Sequence, residues 1–178
     1  MQPDSPIYKA QTIGNIEPIE YMIPYPSTQA IIEGQIIKYK NEKVFKDYGL
    51  TNIDFFNSIQ RMSNWLNDQG ILPKDKVAID DNSSLNSILL LYGLWHMGAV
   101  AVFLEKENHS PKKKLNVKCL NYSGDLIKIT ESHSSHFIPK YKPLLNDDAV
   151  VIVSNDKTVF LSHYGLLVNA NGLQKLLS

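Results

Sequence analysis

Histidines, a lone cysteine, a basic run and a short polar turn carry the side chains of this sequence that could do chemistry. His133 and His136 lie three residues apart with His109 upstream, and a metal site there needs acidic or thiolate partners fixed on rigid elements. The Ser-rich stretch from Ser132 to Ser135 around them favours solvated loop histidines instead. Cys119 has no base at motif spacing and is expected to pack into the core from a helix rather than act as a nucleophile. Lys112-Lys113-Lys114 with Lys118 could meet an acidic partner or a phosphate, although a run of like charge is usually a solvated helix face. Ser154-Asn155-Asp156-Lys157-Thr158 joins two apolar runs, and Asn-Asp suits a tight hairpin turn because both residues tolerate positive φ. His163 follows the second run and reads as a helix-start or packing residue. Trp65, Trp95 and Phe103 fall inside apolar segments and read as core aromatics.

The elements that must position these groups follow from periodicity and capping. Residues 1–26 carry Pro3, Pro6, Pro18, Pro24 and Pro26 among isolated Ile and Tyr, the pattern of an extended arm lying on a domain. Ser27 can cap a helix over Thr28 to about Lys40. Val44, Phe45 and Tyr48 suggest a short strand or hairpin. Thr51 with Asp54 three residues on marks a helix start, and Phe55, Phe56, Ile59, Met62 and Leu66 form its apolar face before Gly70 ends it. Pro73-Lys74-Asp75 turns into a buried-type strand at Val77 to Ile79. Asn82, Ser83 or Ser84 caps an apolar helix from Leu85 to Met97, and after Gly98 a strand runs from Ala99 to Leu104. That order predicts parallel neighbours joined by a crossover helix. Pro111 is expected to open a helix reaching about Tyr122, with Leu126 to Thr130 as a further strand. The last elements are the strands Val150 to Val153 and Thr158 to Leu161 and a helix capped by Ser162.

In this order the segments resemble the start of the acyl-adenylate-forming (AMP-binding) superfamily of acyl-CoA synthetases, luciferases and peptide-synthetase adenylation domains. Gly70-Ile71-Leu72-Pro73-Lys74-Asp75-Lys76-Val77-Ala78-Ile79 is similar to that family's early turn and strand, with Lys74 where a glycine is usual. Gly98-Ala99-Val100-Ala101-Val102-Phe103-Leu104 is similar to the next strand, with Phe103 in place of a customary proline. Asp147 to Val153 and Leu161-Ser162-His163-Tyr164-Gly165-Leu166 resemble the two flanks of the family's phosphate-binding loop. The resemblance implies a mixed, mostly parallel, doubly wound α/β sheet with flanking helices and a C-terminal hairpin and helix, built as a single domain over residues 27–178.

It also implies what to look for between the flanks. In the family a loop rich in Ser, Thr and Gly and ending in Lys wraps the ATP phosphates, because glycines let backbone N–H groups converge on oxygen and a cation offsets charge. Here only Ser154-Asn155-Asp156-Lys157-Thr158 stands there, without glycine and with the added negative charge of Asp156. The sequence also ends soon afterwards, so the expectation is a cut-down relative to which no catalytic, cofactor or metal residue of the family carries over. The expected function is that of a non-catalytic, degenerate homologue acting through a homodimer or a protein partner, such as an acyl-activating or carrier protein. The alternative is a component of an AMP-dependent acyl-CoA synthetase or ligase whose nucleotide site comes from another chain, and a small-ligand binder using a remnant cleft is a third.

Composition agrees with a folded domain: 43% hydrophobic and 20% charged residues lie far from the polar balance of disordered chains. Lys plus Arg equals Asp plus Glu at 18 each, so no global field draws the protein to nucleic acid or to an anionic membrane. No apolar run approaches the roughly 20 residues that span a bilayer. A single cysteine and an N-terminus without an apolar signal region suit the reducing cytoplasm.

Overall fold

The computed structural model describes residues 27–79, 84–104, 115–154 and 157–177. The first element is α1 (Thr28–Tyr39), started by Ser27, whose extended backbone lets its Oγ accept from the Ala30 N–H at 3.2 Å. Strands β1 (Lys43–Phe45) and β2 (Leu50–Thr51) pair antiparallel around a short 3-10 turn. Thr51 and Asp54 then cap α2 (Asn52–Asp68) reciprocally, each side chain taking the other's backbone N–H. Phe55, Ile59, Met62 and Leu66 of α2 are buried, as their spacing requires.

A five-stranded sheet forms the centre, in the order β5 (Val117–Lys118), β3 (Lys76–Ile79), β4 (Val100–Leu104), β6 (Asp148–Ser154) and β7 (Lys157–Ser162). All neighbours are parallel except β6 and β7. Helix α3 (Leu85–Met97), capped by Ser84 and ended by Gly98 at φ 81°, is the crossover between β3 and β4. Both faces of the sheet are buried at its middle. Ala101, Ala149 and Val150 join the large core under α2 and α3, whereas Val100, Val102, Val151 and Val153 make a second cluster with Leu104, Leu115 and Val117. This two-sided burial is why β4 and β6 read as continuous apolar runs rather than alternating ones. The chain closes with α5 (His163–Leu177), whose Gly165 N–H is accepted by Ser162 Oγ at 3.2 Å. No helix among the described residues is long and apolar enough to cross a membrane.

Two expectations for the middle of the chain are overturned. Leu126 to Thr130 is not a strand but a short helix, α4 (Leu126–Thr130), because Asp125 caps it through the Ile127 N–H and Leu126 is drawn wholly into the core. The expected helix reaching Tyr122 does not cover residues 115–122: Asn116 takes φ 51°, and Val117 and Lys118 pair with Lys76 and Val77 as the edge strand β5. Pairing along an open sheet edge outweighed local helix propensity here. Cys119, just beyond that strand, is exposed rather than packed in the core. The extended arm of residues 1–26, Pro111, Asn82 and Ser83 lie outside the described residues.

Helices α2 and α3 meet closely at Gly93. A Cβ on that residue meets Met62 Cγ at 2.5 Å and Cβ at 3.1 Å, and Ser63 Oγ donates across the crossing to Gly93 O at 3.2 Å. We expect Gly93→Ala to destabilise the fold by about 1–3 kcal/mol through overpacking, read as a lower urea midpoint at unchanged slope.

The same layer holds His96, whose ring stands between Phe56 and Phe137, each at 5.8 Å, with both nitrogens buried and without a hydrogen-bond partner among the described residues. Burial lowers its pKa from 6.5 to about 4. The unfolded chain therefore takes up a proton as pH falls below 6.5 while the folded chain does not, and stability drops between pH 6.5 and 4. The loss is on the order of 3 kcal/mol. His96→Leu should flatten that part of the stability–pH curve measured by denaturant titration.

Candidate functional site

The parallel strands point their C-terminal ends, at Ile79, Leu104 and Ser154, to one end of the sheet, the end at which open α/β sheets hold ligands. The geometry there is that of a plain hairpin. Val153 pairs with Thr158 and Ser154 with Lys157, in register, so the segment singled out for phosphate binding is mostly ladder. Asn155 and Asp156 complete it and lie outside the described residues. Lys157 and Thr158 are exposed at the sheet's end. A nest for phosphate needs successive backbone N–H groups turned to one point; ladder pairing commits the backbone of Val153, Ser154, Lys157 and Thr158 to a different geometry.

The opposite end, the foot of the sheet, carries a dense polar network that the sequence did not announce. Lys74 takes φ 68°, the left-handed conformation a glycine adopts freely, at the position where the resemblance has glycine. Its N–H donates to Gly98 O at 2.7 Å, and its ammonium lies 4.8 Å from the centre of the Tyr141 ring and 3.5 Å from Asp147 Oδ1. Tyr141 packs on Gly98 so tightly that a Cβ there meets its Cδ1 at 2.8 Å. The Tyr141 hydroxyl donates to Asp147 Oδ2 at 2.5 Å, and the Leu144 N–H donates to the same oxygen at 2.8 Å. Asp147 O accepts from the His163 N–H at 3.1 Å, which ties this loop to the start of α5.

These contacts set the protonation states. Burial pushes the Asp147 carboxyl up, but the hydrogen bonds from Tyr141 and Leu144 and the Lys74 charge together hold it below its ordinary value. Contact with Tyr141, then the charge of Asp147, raises the Lys74 ammonium. His163 is 1% exposed and burial lowers its pKa, partly opposed by Asp147, so the ring is neutral at pH 7. Its Nδ1 lies 2.8 Å from Thr28 Oγ1, joining the first turn of α1 to the first turn of α5. His163 thus fills the helix-start and packing role read from the sequence. Around this network is an open pocket of about 300 Å³ lined by Lys74, Lys76, Asp147, Asp148, His163 and Gly98 among others. Two lysines face two aspartates, so it has no net charge with which to concentrate an anion.

The other candidates are dispersed. His133 Nε2 lies 3.4 Å from Asp68 Oδ2, while Asn64 Nδ2 donates to the backbone of Ser134 and His136. His109 and Lys112-Lys113-Lys114 lie outside the described residues, among which no group of His, Cys, Asp and Glu could hold a metal ion. Lys118 is not a free cation: its Nζ donates to Asp75 Oδ2 at 2.6 Å and Gly70 O at 3.1 Å, fastening β5 to the turn before β3. Trp65 and Trp95 are buried, Trp95 donating to Ala149 O at 2.9 Å, and Phe103 packs partly buried against the core. What sequence reading missed is Tyr141 and the role of Lys74. The one available signal was a lysine at a glycine position, because Tyr141 meets Gly98 and Lys74 only through the tertiary fold.

No protein-family model matches the sequence, and no curated protein does so significantly. Solved structures match in fold. The nonribosomal peptide synthetase FmoA3 superposes with a TM-score of 0.66 at 16% identity, over 86% of this chain and 19% of that one. A Mycobacterium tuberculosis fatty acyl CoA synthetase gives 0.63 at 15%, over 78% of this chain and 35% of that one. The N-terminal subdomain of Klebsiella oxytoca NpsA gives 0.60 at 12%, over 80% and 43%. The present chain spans less than half the length of each. What it shares with them is the fold: a mixed, mostly parallel sheet with flanking helices, as the resemblance implied.

The foot network makes a measurable claim. Tyr141→Phe keeps the ring on Gly98 and removes the bond to Asp147, which should cost about 1.5–3 kcal/mol at pH 7. Because Asp147 is held below its ordinary 3.8, that contribution is present above this pH and disappears once the carboxyl is protonated, so the two proteins' unfolding midpoints should converge in acid.

Proposed function

We propose that this chain is a non-catalytic homologue of the N-terminal part of acyl-adenylate-forming enzymes, one that works by association, with a second copy of itself or with a protein partner, rather than by adenylation. The observation that carries this reading is the junction of β6 and β7. Ser154 pairs directly with Lys157, leaving two residues, neither of them glycine, where a phosphate-binding loop needs several backbone N–H groups free to converge. The foot pocket does not replace it, being charge-balanced and at the wrong end of the parallel strands for the ligand position of open α/β sheets. The alternative, one part of an AMP-forming ligase whose nucleotide site comes from another chain, differs in requiring pyrophosphate exchange once that second chain is added.

Calorimetric titration with magnesium-ATP should show no heat of binding, and no carboxylic acid should support pyrophosphate exchange. Micromolar binding that Lys157→Ala abolishes would overturn the proposal and return the hairpin to phosphate chemistry.

A further inference from the structure

The chain enters the described body through a buried residue, and beside that residue is an open groove. Ser27, Thr28 and Gln29 are 6%, 5% and 3% exposed, so residues 1–26 join a point set inside the surface rather than on it. The groove, of about 500 Å³, begins at Ser27 itself. One wall is α1, where Ser27, Ala30 and Glu33 recur every three residues and so share a face; the other is the irregular stretch Lys142-Pro143-Leu144-Leu145. Glu33 and Lys142 are the only charges among its described lining residues, and Leu144 is 65% exposed. The walls are already fixed to each other. Thr28 Oγ1 lies 2.8 Å from His163 Nδ1, and the His163 N–H donates to Asp147 O at 3.1 Å. The Leu144 N–H donates to Asp147 Oδ2 at 2.8 Å, and Leu145 O accepts from the Tyr164 N–H at 2.8 Å. A groove held in this way has little ordering cost left when it is filled.

We propose that its occupant is the same chain's Tyr21-Met22-Ile23-Pro24-Tyr25-Pro26, folded back beside α1. These six residues lie outside the described ones; their place in the chain and their types select them. Pro26 is bonded to Ser27, so the segment is tethered at one of the groove's own residues. At about 3.1 Å per residue, six extended residues reach about 19 Å, twice the roughly 9 Å that α1 rises from Ser27 to Glu33. Going back from Ser27 the first charged side chain is Glu20, so the stretch that spans the groove brings no charge to its apolar wall. Pro24 and Pro26 restrict Ile23 and Tyr25 to extended backbone and carry no N–H themselves, which halves the donors that a covered ribbon must satisfy. The tether also decides against a second copy. It holds the segment at an effective concentration of about millimolar, which the segment of another chain matches only when the protein itself is that concentrated.

The full-length chain tests this in two ways. Chymotrypsin cuts after Tyr21 in proportion to the fraction of time the segment is free. Leu144→Lys, a charge at an exposed groove position, should speed that cut tenfold or more while the circular dichroism spectrum and the cleavage rate elsewhere in the chain stay those of the parent. In a Cys119→Ser background, Leu144→Cys combined with Ile23→Cys or with Tyr25→Cys should close a disulfide within the monomer in a glutathione buffer. It should form at least tenfold faster than when the same two positions are combined with Leu173→Cys, 60% exposed on α5. Equal cleavage of the parent and Leu144→Lys overturns the proposal, as does cross-linking to position 173 as readily as to position 144. Disulfides formed only between chains overturn it too, by placing the segment in the groove of a second copy. Magnesium-ATP binding at the other end of the sheet, whether found or not, bears on neither readout.

Discussion

Burial of β4 and of Ala149 to Val151 in β6, on both faces of the sheet, is the constraint on which the rest of the structure depends. A strand hidden on two sides needs apolar residues at every position and partners along both edges, and β3, β4 and β6 supply these to one another in parallel register. The parallel arrangement requires a crossover, which is why α3 is apolar nearly all round: it lies between the sheet and α2, and Leu89, Leu90 and Leu94 are buried almost completely. Gly93 belongs to the same constraint, since α2 can cover α3 only where their backbones approach closely.

The two ends of the sheet have then been treated differently. At the foot, the chain returns in front of each parallel strand, and those returns are fastened to one another by Lys74, Gly98, Tyr141, Asp147 and His163. Irregular backbone is held there by specific polar contacts, including a lysine in a left-handed conformation whose side chain is engaged by a tyrosine and an aspartate. At the other end, β6 turns straight back into β7. Ladder pairing there engages Val153 with Thr158 and Ser154 with Lys157.

An open antiparallel edge follows from that same turn. β7 is held on one side by β6 over its whole length and presents valine and phenylalanine at half exposure on the other.

The sequence by itself determined the elements whose signals are local. The caps at Ser27, Thr51 and Ser84, the period of α2, the apolar strands around Val77, Val102 and Val151, and the hairpin before His163 are each written within a few neighbouring residues, and each is found in place. The missing glycines between Ser154 and Thr158 were legible for the same reason. Only the tertiary structure decided the rest. Ile127 and Ile129 alternate as in a strand, yet the cap from Asp125 and the pull of Leu126 into the core make a helix. Val117 and Lys118 have a helical setting in the sequence, yet the open edge of β3 and the carboxylate of Asp75 draw them into the sheet. Tyr141 carries no local pattern at all, because its partners Gly98 and Lys74 are far from it along the chain. Where an element's energy comes from neighbours in sequence, the sequence announces it; where that energy comes from an edge, a core or a loop brought in by the fold, only the assembled chain does.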